Sequence, residues 1–176
     1  MIFLKKIIII LAIITTFLIY KEVNSEEIVI PDTAIRLRVI PNSNSSLDQN
    51  MKIKVKKYLE DNTYKLLKNE TDIDNARNLI KENIPILQEN IDKIFEDNNY
   101  NFEYEVNYGY NYFPEKEYRG ITYKEGYYES IVISIGNAEG DNWWCVLFPN
   151  LCLIDLENKN DAEYKSWVIE KLNKIF

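Results

Sequence analysis

The chain of 176 residues contains no histidine. Histidine is the usual general base of serine and cysteine hydrolases, and most catalytic zinc sites use at least one imidazole. Its absence excludes the histidine-dependent nucleophilic mechanisms and leaves few catalytic options beyond paired carboxylates. Glycine is also scarce, with five residues, and the glycine-bearing segment 136–140 does not match a phosphate-binding loop. The sequence therefore indicates no metal ion, no cofactor and no small-molecule substrate.

Basic side chains are outnumbered, with 21 lysines and arginines against 28 aspartates and glutamates and a net charge of −7. A phosphate backbone repels an acidic protein, so nucleic acid is not an expected partner. The apolar fraction of 46% in 176 residues is sufficient for the core of one domain.

The amino-terminal segment indicates the compartment. Residues 7–20 carry no charge and follow Lys5 and Lys6. This run is shorter than the roughly 20 residues of a typical membrane span, and a basic flank before a short apolar run is typical of a signal peptide. We predict that residues 1–25 are a signal peptide or an uncleaved membrane anchor, which is the only membrane contact expected. Residues 26–176 are then a single exported domain.

The rest of the chain predicts a mixture of strands and helices. Period-two alternation predicts a strand within residues 28–40, with Arg36 and Arg38 on one face. Two helical patterns follow, at 46–69 and 71–95, and Pro85 predicts a kink or a break in the second. Further strands are predicted at 102–108, 130–135 and 143–148, the last of them central because it is apolar on both faces, and a final helix at 161–176. This order predicts an α+β domain with helices packed on one face of a mostly antiparallel sheet.

Both cysteines and two of the three tryptophans lie in one short segment, GDNWWCVLFPNLC, at residues 140–152. In an exported chain, a lone pair such as Cys145 and Cys152 tends to form a disulfide. A buried reduced pair and a redox-active dithiol are the alternatives, although the spacing is wider than Cys-x-x-Cys. On a strand, Trp143 and Trp144 point to opposite faces. One can be buried while the other anchors a partner, and burial of both is the alternative.

Two blocks of the sequence resemble the stage II sporulation protein R family of endospore-forming bacteria. They are AIRLRVIPNS, at residues 34–43, and NWWCVLFPNLC, at residues 142–152. Asn150 stands where the family has a second proline. The segment between the blocks also fits, at Phe113-Pro114, Lys116, Tyr118, Gly126, Tyr128-Glu129 and the strand that ends at Ile135-Gly136. The resemblance implies a signalling protein and not an enzyme. Its members are made in the forespore and exported into the space between the forespore and mother-cell membranes. They are required there for a membrane-embedded aspartic protease of the mother cell to cleave the sigma-E precursor.

We therefore expect a folded surface of this chain to bind that protease and to favour its active state. The candidate residues come from the two blocks, and tryptophan and arginine are frequent interface anchors. They are Arg36, Arg38, Asn42, Ser43, Asn142, Trp143 and Trp144.

Two other functions stay open from the residues alone. One is a peptidoglycan hydrolase with a carboxylate pair drawn from Asp32, Glu129, Glu139, Asp141 and Asp155. Its groove would be lined by Tyr104, Tyr108, Tyr110 and Tyr112. The other is a non-catalytic module that binds the cell wall or lipid.

Overall fold

The computed structural model of the chain describes residues 10, 15, 30–118, 121–152 and 161–175. The predicted signal peptide or anchor, residues 1–25, lies outside this range apart from two isolated residues, so it stays a prediction. None of the helices in the described residues is long and apolar enough to cross a bilayer.

The described residues form one main sheet, one small hairpin and three helices. The strands of the main sheet are β1 (Ile35–Ile40), β2 (Tyr104–Phe113), β5 (Gly126–Ile135) and β6 (Trp143–Phe148). The hairpin consists of β3 (Lys116–Tyr118) and β4 (Ile121–Tyr123). The helices are α1 (Ser46–Leu67), α2 (Ile73–Asp97) and α3 (Asp161–Asn173).

The strand order in the main sheet is β2–β5–β1–β6. Strand β1 is parallel to β5 and antiparallel to β6, and β5 is antiparallel to β2. The α+β fold with a mostly antiparallel sheet is thus confirmed. The central position predicted for residues 143–148 is wrong, because β6 forms an edge of the sheet.

One face of the sheet packs against α1 and α2. Strand β1 directs Ile35, Leu37 and Val39 to this face, and β5 directs Ile131 and Ile133 to it. The helices supply the matching buried side chains, among them Met51, Val55, Leu59, Ile80, Leu87 and Ile91. Because a shift of one residue would move every strand side chain to the other face, this core fixes the register of β1 against β5.

A second apolar cluster lies on the opposite side of β6. It joins Val146 and Leu151 to β4 and to Tyr164 and Val168 of α3, and Trp144 packs against it. Both faces of β6 are therefore covered although the strand is at the edge of the sheet. A strand that is apolar on both faces therefore indicates that both faces are covered by other elements. It does not indicate whether the strand is central or at the edge of the sheet.

Helix α1 begins at Ser46, as the sequence indicates, and α2 begins at Ile73, two residues after the predicted start. The Ser45 side chain caps α1 by accepting a hydrogen bond from the Asp48 amide, and Asp72 caps α2. Helix α2 continues through Pro85 without a break. Proline has no amide hydrogen, so the Lys81 carbonyl, one turn earlier, loses its helical donor. Pro85 and Lys81 are both exposed, so this carbonyl lies on the solvent side of the helix.

A buried carboxylate joins the start of α1 to the end of α2. Asp48 is 3% exposed, and it accepts hydrogen bonds from Asn42 Nδ2 at 3.0 Å, Ser43 Oγ at 2.5 Å and Tyr100 Oη at 2.6 Å. Burial raises the pKa of Asp48, but the hydrogen bonds from Ser43, Tyr100, Asn42 and Ser45 outweigh burial and lower it to about 2. The ionised form is therefore the one that the fold stabilises.

The loop after β1 is also tied to the loop between β5 and β6. The Asn42 carbonyl accepts a hydrogen bond from the Glu139 amide at 3.2 Å, and the Asn42 side-chain oxygen accepts one from the Asn137 amide at 3.0 Å. Lys52 Nζ donates to the Asp141 carbonyl at 2.8 Å. A Cβ on Gly140 would lie 2.3 Å from the Ser43 carbonyl oxygen, so only glycine fits this close approach.

We predict that Asp48→Asn lowers the free energy of unfolding by roughly 2–3 kcal/mol at pH 7, because the amide cannot accept all three donors. Since the folded-state pKa is depressed, this contribution is present above about pH 4 and is lost as the pH falls towards about 2. Urea unfolding followed by tryptophan fluorescence at pH 7 and pH 2.5 measures the difference.

The matched control is Asp61→Asn, which removes an exposed carboxylate from the same helix. Equal stability of the two variants at pH 7 would contradict the role assigned to Asp48.

Candidate functional site

The two blocks of sequence that carry the family resemblance lie side by side in the structure. Strand β1 from the first block pairs with β6 from the second, with Arg38 opposite Trp144 and Val39 opposite Trp143. The loops that follow β1 and precede β6 are joined by the hydrogen bonds described above. Residues about 100 positions apart in the chain thus form one structural unit.

Arginines and aromatic rings meet on the sheet face that is opposite α1 and α2. Arg36 is 1% exposed, and its Cζ lies 3.3 Å from the centre of the Tyr128 ring and 5.3 Å from those of Phe113 and Trp144. A guanidinium over aromatic faces gains cation–π attraction, which is strongest when water is excluded. The group is hereafter called the cation–aromatic cluster, and it consists of Arg36, Arg38, Phe113, Lys116, Tyr128 and Trp144.

The outer part of the cluster is accessible. Arg38 and Trp144 are half-buried and Lys116 is exposed. The Arg38 guanidinium crosses β5, lies 5.7 Å from the Phe113 ring and donates from Nη1 to the Tyr112 carbonyl at 3.3 Å. Trp144 makes edge-to-face contacts with Phe113 and with Tyr123, so its ring is held in one orientation.

Hydrogen-bond donors in the cluster lack acceptors. Nε and Nη1 of Arg36 and Nε of Arg38 are buried, and none of them has a hydrogen-bond partner in the described part of the chain. Burial lowers the pKa of both arginines. Arginine still keeps its proton at any physiological pH, so these groups remain positive.

The seven candidate residues do not form one continuous surface. Trp143 faces the helices, with Lys56 Nζ 5.4 Å from its ring centre, whereas Trp144 lies on the other side of the sheet. This separation follows from the alternation of strand side chains. Asn142 is half-buried at the start of β6, and Asn42 and Ser43 donate to Asp48 inside the molecule. Arg36 lies too deep to touch a partner directly in this conformation.

The predicted disulfide between Cys145 and Cys152 is present, with a Cα–Cα distance of 5.4 Å. It joins β6 to the turn that follows, where the Leu151 amide donates to the Val146 carbonyl at 3.0 Å and the Phe148–Pro149 peptide bond is cis. The bridge and the turn fix the end of the strand that carries Trp144.

The described carboxylates among those proposed for hydrolysis differ in their surroundings. Glu129 is 7% exposed, and its carboxylate accepts hydrogen bonds from Arg77 Nε at 2.9 Å and from the Tyr108 hydroxyl at 2.5 Å. It also forms a salt bridge with Arg77 Nη2 at 2.9 Å. It is thus held as an ion pair between α2 and β5. Asp32, Glu139 and Asp141 are exposed on loops, and Asp155 lies outside the described residues.

The proposed tyrosine platforms are divided in a similar way. The Tyr104 hydroxyl donates to Asp92 at 2.7 Å, and Tyr108 is bonded to Glu129, so both are engaged internally. Tyr110 and Tyr112 are exposed. Across residues 30–118, 121–152 and 161–175, no group of three histidine, cysteine or acidic side chains is placed to hold a metal ion.

Comparison with known proteins decides the family. The model of the family called stage II sporulation protein R matches residues 31–158, which is most of the chain. The chain belongs to the stage II sporulation protein R family. Both blocks described above, and thus the whole contact between β1 and β6, lie inside this match.

A curated relative supports this assignment. The chain is 37% identical over 134 residues to the stage II sporulation protein R of Bacillus subtilis (strain 168), which is 76% of this chain and 60% of the relative. The chain therefore spans about 60% of the length of that relative. No solved structure matches the chain. Membership of this family supports a role in sporulation.

Sequence reasoning missed several residues that build the site. Phe113, Lys116 and Tyr128 belong to the cation–aromatic cluster, and Asp48 is the acceptor that holds Asn42 and Ser43. Phe113, Lys116 and Tyr128 are among the residues that resemble the family. Their position beside Arg36 depends on strand pairing, which periodicity does not give.

We predict that Cys145→Ala with Cys152→Ala lowers the free energy of unfolding by roughly 2–3 kcal/mol, as expected for closing a short loop. Urea unfolding in the presence and absence of dithiothreitol measures this change. The reductant should destabilise the wild type to a similar extent and leave the double variant unchanged. A wild type that is insensitive to dithiothreitol after unfolding and refolding would contradict the prediction.

Proposed function

We propose that the chain is an exported forespore signalling protein that activates a membrane-embedded aspartic protease of the mother cell. The protease then processes the sigma-E precursor. In this proposal the chain acts as a protein ligand in the space between the forespore and mother-cell membranes, and it does not catalyse a reaction.

The observation that carries the proposal is the convergence of the two family-like blocks. Their strands, β1 and β6, are neighbours, and the half-buried Arg38 and Trp144 face the same side at opposite positions of the pairing. Arginine and tryptophan in such a setting are frequent anchors of protein interfaces. The surface suits recognition of another protein.

The surroundings of the candidate carboxylates favour the role of a protein ligand over that of a hydrolase with a carboxylate pair. A hydrolase needs one acid and one base facing a shared substrate position, at roughly 5–10 Å from each other. Glu129 is neutralised by Arg77, and Tyr108, proposed as part of the sugar groove, is bonded to the same carboxylate. These groups stabilise the contact between α2 and the sheet.

The disulfide supports the exported location. Disulfides form and persist outside the reducing cytosol. The bridge between Cys145 and Cys152 lies beside Trp144 on β6, so the candidate surface is completed in an oxidising compartment. This agrees with the signal peptide or anchor predicted for residues 1–25.

We predict that co-expression of the full chain with the protease and the sigma-E precursor of the same organism yields cleaved precursor in a bacterium that does not sporulate. Cleavage should require all three proteins, and an immunoblot of the precursor measures it. A chain that lacks residues 1–25 should stay in the cytosol and give no cleavage, because the proposed receptor surface faces the other side of the membrane.

The controls separate the ligand from a catalyst. Replacing the catalytic aspartate of the protease should abolish cleavage while the chain is still exported. If the secreted chain and the intact protease are both present and the precursor stays uncleaved, the proposed activation is wrong. Cleavage without the chain would contradict it equally.

A further inference from the structure

Two arginines of the cation–aromatic cluster lack an ion-paired anion, although the exposed Asp32 carboxylate acts on Arg36 electrostatically. Arg36 and Arg38 form no ion pair with any described carboxylate, and three of their buried nitrogens lack a hydrogen-bond acceptor. By contrast, Arg77 is paired with both Glu129 and Asp74. Buried donors are normally satisfied, so the cluster carries positive charge without a hydrogen-bonded anion.

The sheet beside Arg38 is open. Asn107 is exposed, and Gly109 and Ser134 are half-buried. A Cβ placed on Gly109 would meet a single atom, Asn107 Oδ1, at 3.8 Å. This part of the sheet face therefore has room for a chain that approaches Arg38 from solvent.

A third cation marks the same place. Lys116 Nζ lies 5.6 Å from the ring centre of Trp144, and that ring packs against Phe113, which Arg38 also contacts. Arg36 lies behind the same two rings. Three positive groups thus surround one aromatic pair in a protein whose net charge is −7.

We propose that the cation–aromatic cluster binds the side-chain carboxylate of an acidic segment in a protein partner. The carboxylate lies between Arg38 and Lys116, and Arg36 strengthens the positive field from behind. The identity of that partner rests on the proposed function, but the chemistry of the site does not.

The surroundings favour a protein carboxylate over a lipid headgroup. A planar guanidinium matches a carboxylate through two parallel hydrogen bonds. The aromatic walls suit the methylene groups of an aspartate or glutamate side chain and its neighbours. A chain with a net charge of −7 is repelled by an anionic membrane surface, whose charges extend over an area larger than the cluster, whereas a short acidic segment meets mainly the local positive groups.

The test uses NMR of the arginine Nε–H groups in the full chain, which contains four arginines. The probe is a capped ten-residue oligo-glutamate at 150 mM salt, and the control is a capped oligo-serine. We expect the Arg38 resonance to shift most and the Arg36 resonance to follow. Arg77 should stay unchanged because Glu129 already occupies its donors. Unchanged Arg36 and Arg38 resonances at millimolar oligo-glutamate would overturn the inference.

Variants locate the site. Arg38→Gln and Lys116→Gln should each weaken binding about tenfold, which is about 1.4 kcal/mol. Arg38→Lys should retain part of the affinity because it keeps the charge but loses the planar fork. The matched control is Lys81→Gln, which removes a cation lying 5.6 Å from the Tyr108 ring centre, on the helix side of the sheet. A loss with Lys81→Gln equal to that with Arg38→Gln would mean non-specific attraction and would overturn the proposal.

The ligand source is separated in the same experiment. An equal response of Arg38 to phosphatidylglycerol vesicles or to inorganic phosphate would overturn the assignment to a protein carboxylate.

If oligo-glutamate binds at Arg38 while the co-expressed precursor stays uncleaved, the activation proposal fails and the carboxylate site stands. If the precursor is cleaved as efficiently with Arg38→Gln as with the wild type and oligo-glutamate does not bind, the carboxylate site fails and the activation proposal stands.

Discussion

The alternation of side chains along β1 is the constraint on which the rest of the structure depends. Because β1 lies between β5 and β6, both neighbouring strands must pack beside its side chains. Ile35, Leu37 and Val39 require an apolar cover on one face, which α1 and α2 supply. Arg36 and Arg38 on the other face require partners that tolerate a buried positive charge. The two faces therefore differ in chemistry because of six consecutive residues.

Aromatic side chains are the means by which the fold tolerates Arg36. Each cation–π contact contributes about 0.5–2 kcal/mol, and a buried donor without an acceptor costs about 1–3 kcal/mol. With Tyr128, Phe113 and Trp144 around one guanidinium, these terms are of similar size. Aliphatic residues would cover the charge without attracting it. The aromatic character of positions 113, 128 and 144 thus follows from the arginine on the neighbouring strand.

The sequence predicts local features well and long-range ones poorly, for a physical reason. The strand around Arg36, the opposite faces of Trp143 and Trp144, and the bridge between cysteines seven residues apart all depend on neighbours in the chain. The contacts of Arg36 with Phe113 and Tyr128 depend on strand pairing across more than 70 residues, which periodicity does not encode. The second helix begins two residues later than predicted because Thr71 and Asp72 are both good capping residues, so tertiary contacts decide which of them caps. The sequence gives no sign that Asp48 is buried, because its partner Tyr100 lies 52 residues further along the chain.

A rigid cluster suits the role of protein ligand that we propose for this chain. A ligand shifts a receptor towards its active state only by binding that state more tightly, and side chains that must be ordered on binding reduce the available affinity. Here the bridge to Cys152 holds the end of β6, the Asp48 hydrogen bonds hold the loop after β1, and ring contacts hold Trp144. Arg38 and Lys116 are thus presented on a frame that is already ordered. Because one part of that frame is a disulfide, which persists outside the reducing cytosol, the proposed recognition surface and the proposed export depend on each other.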